Sequence, residues 1–211
     1  MQSKSVVKFL KCFLLLVCLM SSIAFFKPKT LSTDKLKMVD ELCYVIETNK
    51  PFTGISIEKS EEGKLISQAS FKKGLLHGQA KSMYPNGKIK STANFKNGME
   101  SGISKGFAEN GKLIYEANFT QGKLEGTLTQ WREDGTKKRE ARYKEGLIQW
   151  EIHYQDGLPH GLETMWNEKQ IPVYQAIYEN GKQIEEVIPD PTTTAEAIGF
   201  ETNSTFGILA E

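Results

Sequence analysis

The sequence repeats itself with a period of 24 residues, and the copies agree position by position. A glycine opens each copy, at Gly54, Gly78, Gly102 and Gly126, and a fifth copy begins at Gly161 after 11 additional residues. Within each copy an alanine is followed two residues later by an aromatic residue and three residues after that by a glycine. These positions are Ala69, Phe71 and Gly74; Ala93, Phe95 and Gly98; Ala117, Phe119 and Gly122; Ala141, Tyr143 and Gly146; and Ala176, Tyr178 and Gly181. A fixed period of this length predicts an array of stacked supersecondary units, so the fold of one copy determines the fold of the array.

One copy contains two short polar turns that end in glycine. In the second copy these are Pro85-Asn86-Gly87 and Lys96-Asn97-Gly98, and the runs between them have the length of a strand. Such turns are typical of β-hairpins. Loops of three residues closed by a left-handed glycine would keep side chains of equal parity on one face. That face would be aromatic and apolar, and in the third copy it would hold Ile103, Lys105, Phe107, Leu113, Tyr115, Ala117 and Phe119.

The predicted fold is all-β: an elongated antiparallel β-meander of tandem two-stranded 24-residue repeats, preceded by a short helical N-terminal segment. The helix is expected where Leu36, Val39, Leu42 and Cys43 would form one apolar stripe. The 11 additional residues are interpreted as half a unit, with an extra bulge, a different loop or a change of sheet direction between Gly146 and Trp150. The predicted divisions are 1–26, signal peptide or membrane anchor; 27–53, linker and N-terminal cap; 54–184, repeat array (54–77, 78–101, 102–125, 126–149, half unit 150–160, 161–184); and 185–211, disordered acidic tail.

The N-terminal 26 residues have the layout of a secretory signal. The segment contains three lysines near its start and no acidic residue. An apolar run follows and ends near the small residues Ser22 and Ala24. Three readings follow from this segment: a cleaved signal, a retained anchor, or a cytoplasmic chain. The first two place the protein outside the cytoplasm, secreted or in the periplasm and cell envelope, with a membrane contact through this segment in the second.

Charge and composition exclude several classes of function. The array carries 19 basic and 16 acidic residues, without the concentrated basic face of a nucleic-acid-binding protein. The periodic glycines are explained by turns. The sequence contains no assembled catalytic group, no metal-ligand spacing and no cofactor motif. We therefore expect no enzyme activity, no metal and no cofactor. Cys43 is the only cysteine beyond the N-terminal segment, which leaves no internal disulfide there and favours a small buried hydrophobe.

The fourth copy differs from the others by clustering bulky aromatic and cationic residues. The predicted partner-binding residues are Trp131, Lys137, Arg139, Arg142, Tyr143, Trp150 and Trp166. Tryptophan, tyrosine and arginine are the residues that most often anchor protein partners. The alternative interpretation is that the cationic side chains merely cover an aromatic surface of the sheet.

The repeat resembles that of MORN-type proteins, and more closely its bacterial variant. The second copy carries the resemblance, with Tyr84-Pro85-Asn86-Gly87-Lys88, then Phe95-Lys96-Asn97-Gly98, then Gly102. The half unit at Trp150 and the missing turn glycine at Gln170 depart from the pattern. The resemblance implies a β-meander that binds or spaces other molecules, an antitoxin label among bacterial members, and phospholipid contact among relatives.

Three hypotheses of function remain open. The first is a non-enzymatic, exported or membrane-tethered repeat protein that binds or scaffolds a protein partner through one face of its meander. The second is an antitoxin or immunity-type protein that neutralises a specific toxin, and the third is a module that attaches to phospholipid surfaces. Exposed edge strands would also allow end-to-end self-association.

Overall fold

The computed structural model describes residues 28–187. The predicted signal or anchor segment and most of the predicted acidic tail lie outside the described residues. Within them the chain is built almost entirely of β-strands, which confirms the all-β prediction.

The strands divide into a short N-terminal group, a regular array and a C-terminal group. The first group is β1 (Thr30–Ser32), β2 (Leu36–Val39), β3 (Leu42–Val45) and β4 (Lys50–Pro51). The regular array is β5 (Gly54–Lys59), β6 (Leu65–Lys72), β7 (Leu75–Met83), β8 (Ile89–Lys96), β9 (Met99–Glu100), β10 (Gly102–Phe107), β11 (Leu113–Thr120), β12 (Lys123–Trp131) and β13 (Lys137–Lys144). The last group is β14 (Leu147–Gln155), β15 (Leu158–Pro159), β16 (Gly161–Trp166), β17 (Pro172–Glu179) and β18 (Lys182–Val187).

One long sheet contains every strand except β2, β3 and β4. From β5 to β18 its strands follow one another in chain order and pair antiparallel, with β9 and β15 as short side pairings, so the predicted meander is confirmed. At the N-terminal end β1 pairs with β5 in parallel. The first strand of the array is thereby covered, which removes one edge that could pair with another chain.

Two kinds of turn alternate along the array. After β6, Lys73 and Gly74 both have positive φ, of 53° and 84°, and Lys72 pairs with Leu75, which defines a two-residue type I′ loop. After β7, Gly87 N–H donates to Tyr84 O at 2.8 Å, and Gly87 itself has a φ of 82°. This second loop has the three residues that the sequence predicts, whereas the prediction is wrong for the first kind. The two-residue loops are Lys73-Gly74, Asn97-Gly98, Gln121-Gly122, Glu145-Gly146, Asp156-Gly157 and Asn180-Gly181.

The turns determine which side chains share a face. A two-residue loop reverses the parity of the next strand, and a bulge beside each three-residue loop reverses it again, as between Gly106 and Phe107. Ser104 therefore pairs with Ala117, while Lys105 pairs with Glu116 and forms a 2.8 Å salt bridge with it. The prediction that one face holds all the odd-numbered side chains is wrong for β10, where Ile103, Lys105 and Phe107 lie on the face opposite Tyr115, Ala117 and Phe119.

Small side chains form a buried row across the middle of the sheet. We call the face that carries Ala69, Ala93, Ala117 and Ala141 the alanine face, and the other face the opposite face. The row on the alanine face is Ser56, Ala69, Ala80, Ala93, Ser104, Ala117, Leu128 and Ala141, all at most 6% exposed. No second layer of structure covers this row, so its side chains are buried by longer side chains on the same face. Only short side chains can be covered in this way, which explains the recurring alanine.

Side chains of the three-residue loops link each copy to the next. The Asn86 amide donates to Glu109 O at 3.3 Å, and the Lys88 ammonium donates to Asn110 O at 3.0 Å. One repeat later, Asn110 donates to Glu133 O at 3.1 Å. Asn86 also accepts the N–H of Lys88 within its own loop. The Asn-Gly-Lys motif therefore closes one turn and fastens it to the following turn.

The N-terminal segment is a β-hairpin, so the predicted helix is wrong. β2 and β3 pair through Asp40 and Glu41, which both have positive φ, and the helical content is one 3-10 turn at Thr33–Lys35. The hairpin packs on the array through a core formed by Cys43, Val45 and Phe52 together with Phe71. Its backbone also joins the first two-residue loop, because Cys43 N–H donates to Gly74 O at 2.8 Å.

Gly54 permits the close approach of the chain that enters this end. Its φ is +151°, and a Cβ built on it would lie 2.1 Å from Lys29 O. That same carbonyl accepts the N–H of Ile55 at 2.8 Å. Any larger residue at position 54 would displace the strand that covers β5.

The 11 additional residues add one strand, β14, between two type I′ loops. Because one strand is added, the two-residue and three-residue turns exchange edges of the sheet after β14. A three-residue loop and a two-residue loop therefore lie side by side, and Arg132, which precedes the first, donates to Tyr154 O near the second at 2.6 Å. Between β13 and β14 the register shifts by a single residue at Arg142/Tyr143, whereas the corresponding shift between β11 and β12 is two residues. This different bulge lies where the sequence predicts an irregularity.

The single-residue shift moves the repeat pattern to the other face. Ala141 pairs with Glu151 instead of Ile152, and Ala176 of the last copy pairs with Glu163, on the opposite face. The last strand, β18, runs to Val187, so the predicted start of a disordered tail at residue 185 is wrong. Residues 188–211 lie outside the described range.

Candidate functional site

A hydrogen-bonded ion pair lies on the alanine face where the regular array ends. Arg139 contacts Glu151 Oε2 through Nε at 2.9 Å and through Nη2 at 2.6 Å, and it also donates to Tyr143 Oη at 3.2 Å. The two charged side chains are only 21% and 16% exposed. Arg139 and Tyr143 are therefore engaged within the sheet, and their contacts tie the added strand to the fourth copy.

A second polar group on the alanine face surrounds Tyr115. Burial raises the pKa of Tyr115 to about 12, with further contributions from the charges of Glu100 and Tyr143. Burial also raises the pKa of Glu100, against a hydrogen bond from the Ser104 hydroxyl that lowers it. The alanine face thus concentrates polar groups that are withdrawn from water and bonded to one another.

The opposite face carries aromatic rings beside cations at the same place in the array. Trp131 pairs with Lys137. Lys137 Nζ lies 5.0 Å from the centre of the Tyr154 ring and 2.5 Å from Glu140 Oε2. A hydrogen bond from Lys137 to Glu140 raises the pKa of Lys137, which keeps this ammonium charged beside the ring.

Arg142 and Trp150 face each other across neighbouring strands. The register pairs them directly, and Trp150 Nε1 donates to Glu163 Oε1 at 2.7 Å, which fixes the indole ring. Arg142 is exposed, and no carboxylate in residues 28–187 forms a salt bridge with it. Lys138 and Lys144 on the same strand are exposed as well.

We call this surface the tryptophan–arginine patch. It consists of Trp131, Lys138, Arg142, Lys144, Trp150 and Tyr154. Because alternate residues of a strand point to opposite faces, the predicted partner-binding residues separate into two groups. Trp131, Lys137, Arg142 and Trp150 lie on the opposite face, whereas Arg139, Tyr143 and Trp166 lie on the alanine face.

Several residues of these clusters escape prediction from the sequence. Glu151 and Glu163 are the partners of Arg139 and Trp150, and Arg132 joins the fourth copy to the added strand. Their roles depend on the one-residue register shift between β13 and β14, and no local sequence pattern indicates this shift. For Arg132 the repeat itself provides a signal. Tyr84 stands at the equivalent position 48 residues earlier and also donates from its side chain to a backbone carbonyl, that of Phe107.

The rings of His77 and His153 contact backbone groups. His77 Nδ1 accepts the N–H of Asn97 at 3.4 Å, in the two-residue loop of the following hairpin. In residues 28–187 no group of three or more His, Cys, Asp or Glu side chains is arranged to hold a metal ion. The same part of the chain contains no helix with the length and apolarity needed to cross a membrane.

The fold and the two clusters define a β-repeat protein with a side-chain surface suited to binding. Two stretches of the array, residues 76–97 and 100–121, match the model of the MORN repeat variant. Repeats of this type commonly form non-catalytic modules that bind proteins or membranes. The comparison with curated proteins finds no match.

Proposed function

We propose that this chain is a non-catalytic binding protein whose tryptophan–arginine patch holds an acidic segment of a protein partner. The observation that carries the proposal is the exposed Arg142, which lies directly across from Trp150 and has no salt bridge to a carboxylate within residues 28–187. Elsewhere on the sheet, Lys105 and Arg139 are paired with glutamates. An unpaired arginine beside a fixed indole ring supplies both charge and apolar contact to a ligand.

The chemistry of the patch favours a carboxylate-rich peptide segment. Lys138, Arg142 and Lys144 form a row of three exposed cations along β13, and aromatic rings stand on both neighbouring strands. The guanidinium of an arginine donates two parallel hydrogen bonds to a carboxylate. The rings offer flat apolar area to the side chains between the acids.

Binding is tested with the full chain carrying an affinity tag in its native cells. Cross-linking and mass spectrometry identify partners, and the affinity of each purified partner is then measured for the wild type, Arg142→Glu and Trp150→Ala. The matched control is Asn118→Glu, which introduces the same glutamate side chain one repeat earlier on the same face. We expect each patch variant to weaken binding at least tenfold, as for a hot-spot residue, with the control unchanged.

Three outcomes would overturn the proposal. Equal affinity of Arg142→Glu and wild type would remove the patch from the interface. Binding to anionic vesicles without a protein partner would favour the lipid-attachment hypothesis, and that binding would fall as salt rises. A partner encoded as a toxin and bound tightly through residues outside the patch would favour the antitoxin hypothesis.

Export is part of the same proposal. The lysine-bearing apolar start supports secretion or an envelope location, either free or tethered by residues 1–26. Cell fractionation with N-terminal sequencing of the mature chain tests this. A start near residue 25 would support a cleaved signal, an intact N-terminus in the membrane fraction would support an anchor, and a soluble cytoplasmic chain would refute export.

A further inference from the structure

We infer that Glu163 and four aromatic rings around it form a binding site for the ammonium group of a lysine side chain, unmodified or N-methylated. The rings belong to Trp150, Tyr154, Tyr174 and Tyr178, and we call these five residues the glutamate box. The box goes beyond the proposed function, because it takes a cation whereas the tryptophan–arginine patch takes carboxylates. Its evidence is a separate set of contacts, although Trp150 and Tyr154 belong to both surfaces.

Two of the rings lie beside Glu163 at the end of β16. Met165 follows Glu163 by two residues and therefore shares its face of the sheet. Met165 pairs with Trp150 on β14 and with Tyr174 on β17. Both rings are thus diagonal neighbours of Glu163, at about 7–8 Å, which is within reach of an aromatic side chain.

The other two rings lie on either side of a glycine. Gly161 precedes Glu163 by two residues and pairs with Tyr178 on β17, while the register of β14 and β16 places Tyr154 on its other side. A Cβ built on Gly161 would meet no atom within 4 Å, so the position between these two rings is open. An extended alkyl chain can reach Glu163 from this side.

Glu163 is a buried carboxylate without a cationic partner among residues 28–187. It is only 9% exposed, its Oε1 accepts the indole N–H of Trp150 at 2.7 Å, and no lysine or arginine forms a salt bridge with it. Burial raises the pKa of Tyr178, and a hydrogen bond with Glu163 and the charge of Glu163 raise it further. Neutral donors leave the negative charge of Glu163 uncompensated, whereas buried carboxylates are normally paired with a cation.

The charges around the box fit a cation beside an anion. Glu163 pairs with Ala176, and Ala176 pairs in turn with Glu186, an exposed carboxylate on the same face. Arg142 contacts the site from the other direction, because it faces Trp150 from β13. The strand of Trp150 therefore separates an exposed cation from a buried anion, and a segment with an acid close to a lysine would contact both.

One ring of the box already holds an ammonium group of the chain itself. Lys137 Nζ lies 5.0 Å from the centre of the Tyr154 ring while it is bound to Glu140. Ammonium groups are attracted to the faces of aromatic rings, and methylation of a lysine keeps its charge. A metal ion would need several ligand atoms, and no group of three or more His, Cys, Asp or Glu side chains is arranged for one in the described part of the chain.

The test uses the purified full chain and lysine with both backbone ends blocked, in unmodified and ε-trimethylated forms. Two-dimensional NMR follows the indole N–H signals, and Trp150→Phe assigns the signal of Trp150. We expect both compounds to shift this signal saturably, whereas blocked norleucine, which has the alkyl chain without the charge, should not. Equal shifts with norleucine, or no saturable shift with either lysine compound, would overturn the inference.

Glu163→Gln is the decisive variant, because glutamine still offers an oxygen to the Trp150 N–H but removes the charge. It should weaken binding of the lysine compounds about tenfold or more. The matched control is Glu116→Gln, which removes a carboxylate from the same face of the sheet away from the four rings. Equal affinities of Glu163→Gln and Glu116→Gln would refute the role of the carboxylate.

Stability and the rings provide two independent checks. Glu163→Gln removes an uncompensated buried charge, so its melting temperature should equal or exceed that of the wild type, and a lower value would contradict the missing counter-charge. Tyr174→Leu should weaken binding severalfold, and unchanged binding would refute the role of the rings. These measurements need no partner, so their failure is separate from failure of the proposed function.

Discussion

Replacing Glu151 by Gln should destabilise the protein far more than the same change at Glu116. Glu151 Oε2 receives two N–H groups of Arg139, at 2.9 and 2.6 Å, and both side chains are at most 21% exposed. Glu116 makes a single 2.8 Å contact with Lys105, and the side chains of Lys105 and Glu116 are 40% and 38% exposed. The two pairs are cross-strand contacts of the same sheet, so they differ chiefly in burial and in the number of hydrogen bonds.

The expected magnitudes follow from these differences. Glutamine keeps an acceptor oxygen at position 151 but leaves the Arg139 charge without a counter-charge in a partly desolvated place, which costs about 1.5–3 kcal/mol. The exposed pair at Glu116 contributes about 0–1 kcal/mol. For a domain of this size, a loss of about 2 kcal/mol lowers the melting temperature by about 4–8 °C.

Thermal and urea unfolding, followed by circular dichroism, measure both variants at low and high salt. Salt should reduce the small effect of Glu116→Gln, because exposed charges are screened, and should change the effect of Glu151→Gln little. Equal losses in the two variants, or a neutral Glu151→Gln, would refute the claim that the ion pair fastens β14 to β13.

Three further predictions concern a turn, a tyrosine and the cysteine. Gly98→Ala should cost about 1–2 kcal/mol in urea unfolding because φ is +86°, whereas Gly98→Asn should cost less, since asparagine enters the left-handed region more readily; equal losses would contradict a backbone origin. Burial raises the pKa of Tyr115 to about 12, above the ordinary tyrosine value of about 10, so its contribution to stability is complete below pH 10 and is lost as the pH rises through 12. Tyr115→Phe should remove that part of the alkaline destabilisation, as measured by unfolding at several pH values, and an unchanged alkaline profile would contradict it. Cys43 is buried and burial raises its thiol pKa, so iodoacetamide should label it at neutral pH only after unfolding; rapid labelling of the native chain would show that the N-terminal hairpin does not cover it.

The sequence period predicts the meander, because the positions that recur are those that turns and close packing restrict. Face assignment fails for a specific reason. Asn86 and Asn97 stand in the same polar-Asn-Gly pattern, yet only Asn97 has positive φ. The two patterns therefore give loops of different length, and loop length determines the parity of every following side chain.

The N-terminal hairpin is missed because its turn lacks the usual signal. Asp40 and Glu41 both adopt positive φ, although glycine and asparagine are the residues expected there. Leu36, Val39 and Leu42 consequently have helical spacing in the sequence, while in the structure they lie on the two strands on either side of this turn. Packing against Phe52 and the first loop of the array outweighs the local preference.

The candidate site is predicted in composition but not in arrangement. Trp131 and Lys137 are direct cross-strand neighbours, since both lie in one regular hairpin. Arg139 and Arg142 appear equivalent in the sequence, yet one is held by Glu151 and the other is exposed beside Trp150. That separation depends on cross-strand register beyond Gly146, which no period in the sequence encodes.

The strand β14 gives the array a property that regular repetition cannot. In an uninterrupted series of identical hairpins, the alanines would all lie on one face of the sheet, and each type of turn would lie along one edge. One added strand with a one-residue register shift moves the recurring alanine from one face of the sheet to the other, so the two faces exchange roles midway without a domain boundary. In this chain, 11 additional residues thus exchange the faces of the sheet for the repeat that follows them.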